Sequence, residues 1–158
     1  MLVASHYDRW LGYSIERSRP SARQFITFLR DPFDRCVSWY HYWQSAFSGK
    51  ARVQGAGPNS ISAYGSTLEE FVRSYRVTLL DFLPIPDRWK DFVFIGRTEH
   101  LQEDMNVFAD MAGGPRVVVG KMNQTSQHPE TAGLRTIYEN SHPEEMDAYR
   151  TLIGMRND

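Results

Sequence analysis

The run Phe25-Ile26-Thr27-Phe28-Leu29-Arg30-Asp31-Pro32-Phe33-Asp34-Arg35-Cys36-Val37-Ser38-Trp39-Tyr40 carries a strand straight into a helix through an Arg-Asp-Pro corner. Phe25 to Leu29 is apolar and β-prone, and a strand is expected over Gln24 to Leu29. Asp31 has the short acceptor side chain of an N-cap, and Pro32 suits the first helical position, where its missing N–H would have found no partner anyway. The helix is expected to run from Pro32 to about Phe47, with Phe33, Val37, Tyr40 and Trp43 or Gln44 on one apolar stripe. Unpaired amides and the positive dipole end gather at such a start and favour an anion. Arg30 adds a planar guanidinium suited to phosphate, and Ser38, two turns on, adds a hydroxyl. Each taken singly has an ordinary use, Arg30 as a surface residue and Ser38 as a back-bonding helical serine. Their spacing, eight residues across one corner, is what singles them out. Arg35 is expected to pair with Asp31 at i, i+4.

Working outward, Leu2 to Ser5 reads as a short strand and Tyr7 to Arg17 as a helix. The stretch from Gly49 to Ser66 holds Gly49, Gly55, Gly57, Pro58 and Gly65 without apolar periodicity, and a mobile loop is expected there. Its Gly49-Lys50 is no phosphate loop of the Walker kind, since no strand precedes it and no Ser or Thr follows the lysine; a kinase-like nucleotide enzyme is disfavoured for the same reason. Thr67 opens a helix with Glu69 and Glu70 in its first turn. Leu79 to Trp89 is an irregular connection broken by Pro84 and Pro86. Phe92 to Ile95 is a second strand, Thr98 is expected to cap a helix to Met111, and Gly113-Gly114-Pro115 stops it. A short strand is expected at Val117 to Val119, and final helices near Pro129 to Tyr138 and Pro143 to Ile153, the last with a stripe of Met146, Tyr149 and Leu152. Strands alternating with helices mean an α/β layered fold with a mainly parallel sheet.

The chain has 158 residues, 41% hydrophobic and 13% aromatic, enough for a real core and for one domain over 1–158. Net charge is −1, from 18 basic and 19 acidic residues, so no general polyanion binder is indicated and no nucleic-acid partner is expected. Any anion site must be local. The single cysteine, Cys36, excludes an internal disulfide and falls on the apolar side of its helix, as filler rather than nucleophile. No stretch has the length of a membrane span, and a soluble cytoplasmic protein is expected. His41 reads as a packing residue, and His100, His128 and His142 lack metal-ligand spacing, so no metal site is expected. Lys121, Asn123, Thr125 and Ser126 form a polar cluster, either a solvated loop or a group that closes over phosphates.

The segment FLRDPFDRCVSWYHYW resembles the 3′-phosphate-binding region of sulfotransferases that use 3′-phosphoadenosine-5′-phosphosulfate (PAPS), especially carbohydrate sulfotransferases related to heparan sulfate 2-O-sulfotransferase. Phe92 to Met105 (FVFIGRTEHLQEDM) is similar to that family's strand and Thr-Glu helix start, and Lys121 to Ser126 (KMNQTS) to its Asn-rich nucleotide-side loop. The resemblance implies a three-layer fold like that of the P-loop NTPases. It also implies that Arg30 and Ser38 hold the nucleotide 3′-phosphate, that Lys121, Asn123 and Thr125 meet the nucleotide, and that His6 is the general base. PAPS would be the sulfate donor, adenosine 3′,5′-bisphosphate the product, and a hydroxyl, expected on a glycan, the acceptor; self-association stays open. Members of that family begin with a strand, a Lys-containing Gly-Ser/Thr-rich loop for the 5′-phosphosulfate, and a helix. Only five residues precede His6 here. A shortened product, a loop supplied by another chain, or a relic that binds nucleotide without catalysis are the readings left open, and the last is the alternative to an enzyme.

Overall fold

A computed structural model describes residues 25–48, 65–81, 86–120, 131 and 133–156. Its elements are β1 (Phe25–Leu29), α1 (Pro32–Ser48), α2 (Leu68–Ser74), β2 (Phe92–Arg97), α3 (Leu101–Ala112), α4 (Leu134–Ser141) and α5 (Pro143–Met155), with 3-10 turns at Leu79–Asp81, Pro86–Asp91 and Thr98–His100. The architecture is mixed α/β, with one two-stranded sheet among the described residues and the strands parallel. The chain divides into two compact units. One lies within Met1–Arg30, Thr78–Gly120 and Asp147–Asp158, the other within Asp31–Val77 and Lys121–Met146.

In the first unit Phe25 pairs with Phe92, a register shift follows, and Ile26 to Leu29 then pair in step with Phe94 to Arg97. Alternation sends Leu29 and Ile95 to one face, where Leu79 and Leu152 complete a buried core and Trp89, Phe92, Tyr149 and Ile153 pack against it. The other face carries Phe28, whose ring lies 5.6 Å from that of Phe94 and directly over Gly96; a Cβ on Gly96 would stand 2.4 Å from the Phe28 ring. Phe108 of α3 meets Phe94 at 5.3 Å.

The expected cap at Thr98 is corrected by the structure. Thr98 lies in a 3-10 turn with its hydroxyl 3.4 Å from the Glu99 carboxylate, and the residues at the cap positions of that turn and of α3, Arg97 and His100, make no side-chain cap bond. Buried Asp104 takes over instead, accepting the Arg97 amide at 2.6 Å from inside the helix and a second bond from the Arg156 guanidinium. The helix stops where expected, at Gly113 in the left-handed region (φ 65°), with the Gly113 and Gly114 amides bonded to Asp110 and Ala109 carbonyls. The expected strand at Val117 to Val119 is not formed. Its backbone is held by the Gln102 side chain, whose amide donates to the Val117 carbonyl at 2.9 Å and accepts from the Val119 N–H at 2.8 Å, standing in for a neighbouring strand.

In the second unit α1, α2, α4 and the start of α5 enclose Phe33, Cys36, Val37, Phe71, Val72, Tyr75, Tyr138 and Met146, with Tyr40 and Trp43 packed against them. The α1 stripe is therefore core. The helix expected from Thr67 is α2, and the structure makes Thr67 its cap within a full capping box: its hydroxyl accepts the Glu70 amide at 3.2 Å while the Glu70 carboxylate accepts the Thr67 amide at 2.8 Å. The helix expected from Pro129 is described from Leu134 to Ser141. The stripe on α5 divides, Met146 joining this core and Tyr149 and Leu152 the other. No described helix is long and apolar enough to cross a membrane. The strand and helix expected within residues 2–17 and the loop at 49–64 lie outside the described residues.

Candidate functional site

Arg30 follows the last residue of β1 and is half-buried, at the carboxyl end of the parallel pair in the first unit. Asp31, the next residue, opens the second unit and is the N-cap that its side chain announces: Oδ1 accepts the Asp34 amide at 3.0 Å. The Arg35 amide bonds the Asp31 carbonyl at 2.9 Å, and Pro32 has none to offer, so the Asp34 and Arg35 amides of the first turn are both engaged by Asp31. Less of the helix start is open to an anion than the bare corner implies.

A group invisible to local reading also sits there. Arg135 of α4 donates to Asp31 Oδ2 and to Asp34 Oδ1, each at 2.9 Å, and its guanidinium lies 4.9 Å above the Phe33 ring. Burial works against its charge, but the bond to Asp31 and the negative charges of Asp31, Asp34 and Glu139 outweigh that and hold its pKa above the ordinary arginine value. The helix start thus carries both signs of charge. Ser38 is half-buried on α1, seven residues beyond Asp31 and on the same side of the helix as the cap. Arg30 and Ser38 fall in different units, each with its own surroundings. His6, Lys121, Asn123 and Thr125 lie outside the described residues, as do Ser126 and His128.

The carboxylate that the structure brings to Arg35 is a distant one. Its guanidinium donates to Glu145 Oε1 at 2.6 Å and to the Val77 carbonyl at 3.0 Å. Tyr138 donates to Glu145 Oε2 at 2.6 Å and stacks on His142 at 4.3 Å, and the two imidazole nitrogens of His142 lie 3.1 and 3.0 Å from the carbonyls of Tyr138 and Tyr75. Burial, then the bond and charge of Glu145, push the Tyr138 phenol far above its ordinary pKa, so it stays a donor. Titratable groups this close resemble a catalytic cluster, yet Tyr138 and Glu145 are closed to solvent and their bonds are made to one another. The cluster ties α1, α4 and α5 together. Cys36 belongs with it: its thiol is fully buried and pushed above its usual range, which keeps it neutral and unreactive. His100 is exposed and faces Glu103 at 2.9 Å, and no three His, Cys, Asp or Glu side chains among the described residues cluster as metal ligands would.

A residue that sequence reading passed over is Arg97, at the carboxyl end of β2 and opposite Leu29 in the sheet. The signal was present, a strand ending on arginine before a helix, repeating the form of the Arg30 corner. Comparison with protein-family models, with curated proteins and with solved structures finds no match for this chain.

Proposed function

We propose that this chain is a sulfotransferase-family domain that binds PAPS and takes part in moving its sulfuryl group to a hydroxyl, on a glycan by preference. The observation that carries the reading is the corner at Arg30 and Asp31: a parallel strand runs through an arginine into a helix capped by Asp31 with proline at its first position. Ligands of open α/β sheets bind beyond the carboxyl ends of parallel strands, and helix starts there favour phosphate. The three-layer fold like that of the P-loop NTPases, and a cytoplasmic setting, are parts of the same proposal.

In this reading Arg30 and Ser38 are the 3′-phosphate ligands, and Lys121, Asn123 and Thr125 contact the nucleotide. His6 takes the proton of the acceptor hydroxyl as its oxygen bonds to sulfur, and the bond from sulfur to the 5′-phosphate oxygen breaks, leaving adenosine 3′,5′-bisphosphate. Histidine suits the base because its ordinary pKa lies near neutrality.

Calorimetric titration with adenosine 3′,5′-bisphosphate is the first test. The protein is expected to bind it, and Arg30→Ala to weaken binding by about 1.5 to 3 kcal/mol, the range for a hydrogen bond to a charged group. No binding, or equal affinity in the variant, overturns the assignment. Transfer of labelled sulfate from PAPS to glycan acceptors then separates an enzyme from a noncatalytic nucleotide-binding module.

A further inference from the structure

We propose that Arg97 builds a second oxyanion site in the first unit, beside the one assigned to Arg30, taking a tetrahedral phosphate or sulfate group. The inference rests on the nucleotide reading above for its probe ligands, though not for its geometry.

Several arginines among the described residues are neutralised. Arg35, Arg73, Arg116, Arg135, Arg150 and Arg156 each meet a carboxylate within 4.0 Å. Arg97 has no acidic partner among the described residues, and its Nε is buried with no acceptor. The carboxylate nearest in the bonding pattern, Asp104, has one oxygen on the Arg97 backbone amide and the other on Arg156. A buried guanidinium edge without an acceptor is an unfavourable state that an entering oxyanion relieves, and the planar N–H fork matches two oxygens of phosphate or sulfate.

Position points the same way. Arg97 ends β2 as Arg30 follows the end of β1, and Leu29, just before Arg30, is the residue registered with Arg97. Strand spacing and rise put the two arginine Cα atoms about 6 Å apart at the carboxyl end of the parallel pair. Arg97 shares the face of Leu29, so alternation directs Arg30 to the opposite face. Two guanidiniums leaving one sheet end on opposite sides do not converge on a single phosphate. They suit two anionic groups held close together, either both phosphates of one nucleotide or one phosphate and a sulfate or phosphate carried by the acceptor.

The test compares affinities for adenosine 3′,5′-bisphosphate and adenosine 3′-monophosphate, and for a sulfated glycan oligosaccharide and its desulfated counterpart. If the nucleotide supplies the second anion, Arg97→Ala lowers bisphosphate affinity about tenfold or more and leaves the 3′-monophosphate unchanged. If the acceptor supplies it, the same loss falls on the sulfated oligosaccharide alone. Arg97→Lys, which keeps the charge and loses the fork, gives an intermediate loss and serves if the alanine variant fails to fold. Arg116→Ala, which removes an exposed partner of Asp110, changes neither affinity. Bisphosphate binding by the wild type with all four affinities unmoved by Arg97→Ala and Arg97→Lys, or an equal loss for both members of each pair, overturns the second site and leaves the nucleotide reading standing. Absence of any nucleotide binding by the wild type together with unmoved oligosaccharide affinities overturns both.

Discussion

Asp31 shows how much one residue's chemistry reveals from sequence alone. A short carboxylate before proline is a cap wherever a helix follows, because its oxygen reaches an amide two or three residues on, and the structure has that bond to Asp34. Cys36 was equally legible from its apolar neighbours. Arg35 was not: its carboxylate, Glu145, lies 110 residues away, and no helical spacing points to it. Glu145 is almost fully buried and accepts from both Arg35 and Tyr138, so its removal strands a largely buried guanidinium and a buried phenol together. Glu145→Ala is expected to destabilise the protein by about 3 to 5 kcal/mol, the usual cost of breaking a buried ion pair by deleting one partner. Urea denaturation followed by circular dichroism measures it, and a loss under about 1 kcal/mol, the worth of an exposed pair, contradicts the role assigned to the cluster.

At the scale of elements, local signals succeed where they act over one turn. The helix start at Thr67 and the glycine stop at Gly113 both stand where the sequence puts them, and the capping box of Thr67 and Glu70 is likewise a device of four residues. The bonds from Thr67 hold the Glu70 carboxyl below its ordinary pKa. A depressed carboxylate contributes stability that is present above its unfolded value and lost as pH falls through the lower folded one. Thr67→Ala removes the hydroxyl that caps the helix and bonds the Glu70 carboxylate, so it should lower the melting temperature at neutral pH, and the difference from wild type should shrink in part below the ordinary carboxylate range. Thermal melts at neutral and at acid pH read this directly, and a constant difference refutes it. Thr98 misled because a threonine ahead of a helical run is a cap candidate by itself, although Leu101 stands where Thr67 has Glu70 and no capping box can form. The deciding group was Asp104, which reaches back from inside the helix to the strand's last amide. Val117 to Val119 misled for a related reason: β-propensity reports a liking for extended backbone, and only a neighbour turns that into a strand. Here the neighbour is one glutamine side chain.

For the molecule as a whole, two cores draw on segments far apart in the chain. Leu152 near the C-terminus is fully buried against Leu29, Leu79 and Ile95, so a residue of the last helix helps close the sheet's inner face. Leu152→Ala is expected to cost about 2 to 5 kcal/mol, and hydrogen exchange should show the amides of β1 and β2 losing protection; unchanged protection there would mean that the sheet is stable without this contact. The sequence by itself determined the strand at Phe25, the helix from Pro32, the Asp31 cap, the second strand and the residues of the α1 core stripe, because each depends on periodicity or bonding within a few residues. Tertiary structure alone decided that the α5 stripe serves two cores, that Arg135 shares the helix start with Asp31, that Arg35 is bound to Glu145, and that Arg97 ends its strand beside Arg30. Those outcomes depend on which distant segments meet, and a charged side chain takes whichever partner folding brings within a few ångströms, a distance that local spacing does not encode.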